Sequence, residues 1–553
     1  MSTESTTSAV KKPGAFVRLF PFIVVAIAAA VLITAWKYPG NSVDPSNLSM
    51  IKIFTILVSF TLILIWALRK SGWRKRTVWL SALLAIALPM FIWKPTSMSG
   101  KFFPIFVARN WVQDLFMGGS AETLLKKHRQ QQGKVEGPAD LTVREGDVPD
   151  YRGTNRDGIV IGPKLERDWS KHPPKEIWRQ PVGGGYASFV SANGFLVTIE
   201  QRRDPDEGWD REVVTCYEAA RGKEVWTSGW DARFSERLGG DGPRATPTIA
   251  HGDVFAFGAK GRLVCLDGKD GKERWAVETL AGTKNLMWGQ SGSPLVVDDL
   301  VIVNPGAQTP EAQGTAIRAY NRKSGELVWQ TGSSATAYCS PQLSTLNGVR
   351  QVLILDAYGL SGLELATGKL LWRTDWKTDF DINVAQPLVV SDDTVMIASG
   401  YHKGGSLVRI TKDGDTWKPA QVWRTKNKSL LYKFTSGVRR KSAEGDHVYG
   451  LNDGILECVD LKTGRQMWQD DRRAKVGEAY GHGQILICDD LIIVLTEYGE
   501  LVLVEATPDS FKELGRIKAL NKGPKTWNVP MMVGGKIYIR NEEEMACYDL
   551  TGK

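Results

Sequence analysis

With 553 residues the chain exceeds what one ordinary hydrophobic core supports, and its apolar residues are unevenly spread, so a membrane part and a soluble part are expected. The net charge of +9 raises the question of a nucleic-acid partner. Residues 1–140 hold 17 Lys/Arg against 6 Asp/Glu, and the remainder nets −2, so the basic excess belongs to the N-terminal part and nucleic acid is not an expected partner.

Taken in chain order, residues 1–15 read as a cytoplasmic tail and 16–95 as a membrane anchor. Three apolar runs, 16–36, 51–68 and 78–93, each approach the ~20 residues that cross a bilayer as a helix. The third is the shortest and carries Pro89. A cleaved signal peptide is the competing reading of the first run, and the two further runs together with the lack of a small-residue cleavage pattern argue against it. The connection "RKSGWRKR" at 69–76 carries five positive charges and should stay cytoplasmic. An integral membrane protein follows, with its N-terminus inside, membrane lipid as a partner and everything after Trp93 outside the cytoplasm. Residues 96–147 begin aromatic and amphipathic and end polar, which suits an interfacial helix followed by a linker.

From residue 148 onward the chain repeats. Trp178, Trp226, Trp275, Trp329, Trp372, Trp423 and Trp468 recur at steps of 43 to 54 residues, the period of propeller blades. One further step lands near Arg516, where the tryptophan is missing. Each unit reads as two short β runs, an alternating strand, a Gly-containing turn and a strand bearing the tryptophan. Four short antiparallel strands per repeat make a blade, and the tryptophans are expected to pack blade against blade. "KEIWRQPVG" around Trp178 has no repeat phrase before it, and "ACYDLTGK" at the C-terminus has no tryptophan after it. The two halves should complete one blade, so the fold class is all-β: an eight-bladed propeller over 148–553, closed by its N- and C-terminal strands.

Phrases such as "CYEAARGKEVW" and "CVDLKTGRQMW" resemble the repeat of the PQQ-like eight-bladed propellers. That family includes quinoprotein alcohol and glucose dehydrogenases and the propeller lipoprotein of the outer-membrane β-barrel assembly machinery. The leader "VPDYRGTNRDGIV" also resembles the segment preceding the propeller in bacterial members. The resemblance implies a propeller on the periplasmic side of the inner membrane, and it leaves two functions open.

The dehydrogenase branch implies PQQ held between flat faces, a Ca²⁺ with oxygen ligands and a carboxylate base. In the alcohol dehydrogenases one of those faces is a disulfide between adjacent cysteines. Here Cys216, Cys265, Cys339, Cys458, Cys488 and Cys547 include no adjacent pair, and the six histidines show no metal-ligand spacing. Asp375, Asp379 and Asp381 are the best Ca²⁺ candidates, yet loop aspartates are ordinarily solvated. No catalytic residue, cofactor or metal is therefore expected. His251 and His447 occupy turn positions and should be exposed.

Residues just before each innermost strand should ring the channel mouth: Tyr186, Arg244, Gln290, Tyr338, Gln386, His482 and Asn528. This lining suits a polypeptide, a glycan or a small polar ligand. The expected function is a non-enzymatic binding or scaffold module, possible in cell-envelope protein assembly, with a PQQ-dependent membrane-bound alcohol or sugar dehydrogenase as the alternative.

Overall fold

The structure is a computed structural model that describes residues 15–37, 55, 58–59, 61–66, 92–98, 104–116, 119–133, 135, 137–204, 208–236, 238–280, 284–307, 309, 312–425, 428–470, 480–523 and 525–552. Two compact units divide the chain, residues 1–109 and 110–553.

The first unit holds helix α1 (Ala15–Lys37), with Pro21 inside it, and a two-stranded ribbon in which Trp93–Met98 pairs with Pro104–Ala108. Among the described residues no helix is long and apolar enough to cross a membrane. That finding overturns the expected integral membrane protein with a cytoplasmic N-terminus, and with it the lipid partner and the placing of the propeller outside the cytoplasm. The run at 78–93 reaches a strand at Trp93, and most of this run and half of the one at 51–68 lie outside the described residues.

The second unit opens with α2 (Asn110–Phe116) and α3 (Ala121–Gln131) and then forms the propeller. Seven four-stranded antiparallel meanders follow in order, over 190–231, 248–278, 295–331, 342–375, 388–424, 438–469 and 484–518; we number them blades 1 to 7. Blade 8 consists of Met531–Val533, Lys536–Arg540 and Glu544–Asp549, completed by Lys175–Pro181 from before blade 1. Cys547 faces Trp178 across that last pair, so the two half-phrases of the sequence do close the ring. Closure leaves no open end in the array.

Blades stack face to face, so their middle strands are covered on both sides and read as continuous apolar runs. Arg262–Asp267, for example, buries Leu263 to Leu266 without interruption. The outer strand is covered on one side only, and in Glu273–Glu278 Trp275 alone is buried. Each repeat tryptophan sits opposite a mostly small residue of the third strand: Cys216, Cys265, Ala319, Gly362, Cys458 and Cys547 face six of the seven. A register shift follows that residue in every blade.

The indole then reaches the next blade. Trp226 donates to the Gly268 carbonyl at 2.9 Å, Trp275 to Arg322 at 2.9 Å, and Trp178 to Ala219 at 3.0 Å across the closure. The neighbouring turn needs glycine. Gly325 has φ 73°, and a Cβ there would fall 2.8 Å from the Trp275 ring. Trp372 is the exception and donates within its own blade to Gln351 Oε1 at 2.6 Å, because the facing hairpin of blade 5, Gly404–Asp413 with Thr416–Arg424, is longer than the others.

Blade 7 lacks the tryptophan, and the equivalent position is Gly515, opposite Leu503, one residue before the expected Arg516. Trp169 fills the gap from the leader, buried to 4% exposure against Gly515.

The leader also occupies the channel. Val148 accepts from Ser191 N–H, Pro149 from Ile249 N–H, Asn155 from the Gln342 amide, and Gly158 from Ile487 N–H, at 2.7 to 3.0 Å. Arg152 donates to the Gly437 carbonyl at 3.1 Å. Arg156, 1% exposed, donates to the Ser293, Pro294 and Pro341 carbonyls at 3.0, 2.6 and 2.6 Å and pairs with Asp150. One short segment can reach six blades only on the propeller axis, so it plugs the channel. Residues Ile159–Val160 then add a parallel fifth strand to blade 7.

Over the blade 8–blade 1 seam lies α3, capped by Ser120. Lys126 pairs with Asp204 and Arg129 with Glu224, both at 3.0 Å, and His128 meets Gln180 at 3.1 Å. His251 is an exposed turn residue as expected. His447 is not: it lies inside the strand Gly445–Asn452, opposite Arg440 and Asp460, and is 3% exposed.

Candidate functional site

All seven residues expected at the rim lie in connections that lead into the inner strands, and three of them turn out to be pins. The Gln386 amide donates to the Ser340 carbonyl at 2.7 Å, the Asn528 amide to the Gly185 and Ala187 carbonyls at 3.1 and 2.9 Å, and the Gln290 amide to the Pro305 carbonyl at 3.4 Å. Each ties one blade's entry to a neighbouring backbone, an ordinary way to satisfy buried polar groups.

Tyr186, Arg244 and His482 instead meet residues that the repeat pattern did not single out. Trp527 lies 5.6 Å from the Tyr186 ring and 4.7 Å from Phe434, which stands 5.2 Å from His482. The Lys525 ammonium sits 3.8 Å from the Trp527 ring centroid and 5.5 Å from that of Tyr186, and donates to the Gly239 carbonyl at 3.0 Å. The Arg244 guanidinium stacks over Tyr186 at 5.2 Å and Phe234 at 4.7 Å, and donates to the Gly240 carbonyl at 2.7 Å. Tyr338 pairs with Trp288 at 5.5 Å. The result is an aromatic ladder with two cations set into it.

Its electrostatics follow from burial. Desolvation lowers the Lys525 ammonium to about 8 and raises the Glu542 carboxyl, which faces Lys525, Tyr186 and Arg244. Burial also lifts the Tyr338 hydroxyl to about 12. Trp527 Nε1 and Asn528 Oδ1 are buried with no hydrogen-bond partner among the described residues. Lys525, Trp527, Phe434 and Glu542 were missed because they lie out of phase with the repeat; the Lys-Thr-Trp-Asn stretch at 525–528 was the available signal.

A quinone cofactor does not fit these residues. A planar ring held between two faces needs about 7 Å between them, twice the optimal carbon contact distance. Here Phe434, Trp527 and Tyr186 already pack on one another at 4.7 and 5.6 Å. All six cysteines are free, buried and separate. Among the described residues no three His, Cys, Asp or Glu side chains converge to hold a metal. Asp381 faces Lys377 at 3.5 Å, and Asp375 and Asp379 are exposed.

Known proteins can now be set beside this geometry. The family model described as outer membrane protein assembly factor BamB, a PQQ-like repeat, matches residues 210–470, from the third strand of blade 1 through blade 6. The BamB of Salmonella typhimurium is 23% identical over 357 residues, covering 55% of this chain and 82% of that protein. The BamB of Burkholderia pseudomallei is 24% identical over 330 residues, covering 57% and 74%. The crystal structure of quinohemoprotein alcohol dehydrogenase from Comamonas testosteroni superposes with a TM-score of 0.50 at 13% identity, over 78% of this chain and 84% of that one, which speaks to fold alone. With eight blades, the repeat tryptophans and a ring closed by its own ends, the chain is similar to the PQQ-like β-propeller proteins, and the family model covers just under half of its length.

Proposed function

We propose that the chain is a non-enzymatic protein-binding scaffold, acting in outer-membrane protein assembly, with the channel-mouth face as its docking surface. The observation that carries this reading is the filled axis. The leader plugs the channel through Arg156, and the mouth is packed by Tyr186, Trp527 and Phe434, so the propeller presents a rigid aromatic and charged face. Aromatic and arginine side chains of this kind are the usual anchors of protein interfaces. The extent of likeness to BamB proteins, over half of this chain and most of theirs, supports the same reading.

A photo-crosslinking amino acid at Tyr338 or Trp288, compared with one at Asn347 in a turn between the first two strands of blade 4, tests it in cells. Polypeptide adducts from the mouth positions and none from Asn347 are expected. Equal labelling, or none at the mouth, rejects the docking face.

A further inference from the structure

Away from the channel mouth, blades 4 and 5 bring two like charges onto one indole. Lys403 Nζ lies 4.8 Å from the Trp376 ring and the Arg424 guanidinium 5.2 Å from the same ring. Trp376 is 3% exposed and held by its Nε1–H to Ser399 Oγ at 3.0 Å, so the platform is fixed. Burial and the charge of Arg424 both push the Lys403 ammonium down, and Asp379 offsets this only in part. Among the described residues neither cation forms an ion pair; Lys377, which could compete for Asp379, is taken up by Asp381 at 3.5 Å. Beside them Phe380 is 63% exposed and rests edge-on against Tyr401 at 5.6 Å.

Two neighbouring cations that Asp379 compensates only in part raise each other's energy, and an exposed phenyl ring beside them stays wet. A single occupant relieves both: a carboxylate between Lys403 and Arg424, with an apolar side chain on Phe380. We propose that this patch docks an acidic, aromatic-containing peptide segment of a protein partner. The two cations are only half-buried or exposed, so the contact is weak and salt-sensitive, and it adds to the mouth rather than replacing it. The proposal rests on the scaffold reading for its protein partner.

The test uses the full chain and a fluorescent twelve-residue peptide with glutamate at alternate positions and one central phenylalanine, read by anisotropy. Saturable binding is expected, weakened on the order of tenfold by Lys403→Gln with Arg424→Gln, weakened by raising salt, and restored by Lys403→Arg with Arg424→Lys. Phe380→Ala should weaken binding of this peptide and leave that of its phenylalanine-free counterpart unchanged. No binding, binding untouched by the double substitution, or a glutamine version that binds equally well overturns the proposal. Binding of phosphatidylglycerol vesicles or self-association through the same residues, without the peptide, overturns it too. Adducts at Tyr338 with no peptide binding would sink this site and leave the mouth standing; peptide binding without mouth adducts would do the reverse.

Discussion

Trp169 packs against Gly515 so closely that a Cβ at 515 would fall 2.4 Å from the Trp169 Cβ. The tryptophan that seven blades carry in their own outer strand is thus supplied to blade 7 by the leader, and the glycine is the space it needs. Trp169→Ala should destabilise the propeller by about 3–5 kcal/mol, as expected for a truncated buried tryptophan. Gly515→Ala should cost about 1–3 kcal/mol with Trp169 present and much less in the Trp169→Ala background. A urea-denaturation double-mutant cycle measures this; additive losses would mean the two residues do not share one site.

The turn glycines make two contributions that can be separated. Gly325 and Gly348 have nearly the same φ, 73° and 74°, but a Cβ meets the Trp275 ring only at Gly325, with open space at Gly348. Gly348→Ala should cost about 1 kcal/mol from backbone conformation alone. Gly325→Ala should cost about 1–3 kcal/mol more, through the displaced indole. Equal losses would remove the blade-to-blade role of the turn.

Arg156 bridges the carbonyls of blades 3 and 4 on the axis. Arg156→Ala takes its donor from the buried Ser293 and Pro341 carbonyls and its cation from Asp150, while Thr248 Oγ1 still donates to the Pro294 carbonyl, and a loss of about 3–5 kcal/mol is expected. Lysine has neither the fork nor the reach to replace it, so Arg156→Lys should recover little. Thermal melts that barely move would show that the leader is dispensable to the ring.

Glu457 is fully buried in blade 6 and accepts from Leu430 N–H and Ser429 Oγ at 2.7 Å and from the Gln466 amide at 2.6 Å. Burial lifts its carboxyl from 4.5 to about 7. The folded state therefore binds a proton that the unfolded state has released between those values, so stability falls as pH rises from about 4.5 to 7 and stays lower above. Glu457→Gln should flatten that slope, and an unchanged slope would place its source elsewhere, with Glu212, also raised to about 7, the next residue to test.

The ring itself was legible because its determinants are periodic: the tryptophan spacing marks the blades, and the broken phrases at Trp178 and Cys547 announce how they close. What escaped were contacts that break the period. Trp169 and Arg156 act from a leader with no repeat phrase, and nothing local shows which blade each will reach. The spacing before the inner strands singled out Tyr186, Arg244 and His482, which join the aromatic ladder, but also Gln386 and Asn528, which serve as backbone pins, since the same position suits either task. Apolar runs in the first hundred residues suggested membrane spans, and among the described residues no helix is long and apolar enough to cross a membrane. Asp375, Asp379 and Asp381 stood out only as the best Ca²⁺ candidates in a chain where no metal was expected, and the sequence does not reveal the contact of Lys377 with Asp381.

The most direct test of the central claim, a packed binding scaffold rather than a quinone enzyme, is to titrate the purified chain with PQQ and Ca²⁺ while following its thermal midpoint and dye reduction with alcohols and aldoses. A ligand that binds only the native state adds about 2.7 kcal/mol at a hundred times its dissociation constant, an easily visible shift. The packed mouth predicts no shift and no turnover. A clear rise in the midpoint accompanied by dye reduction would contradict it and require the Tyr186–Trp527–Phe434 ladder to open around a cofactor.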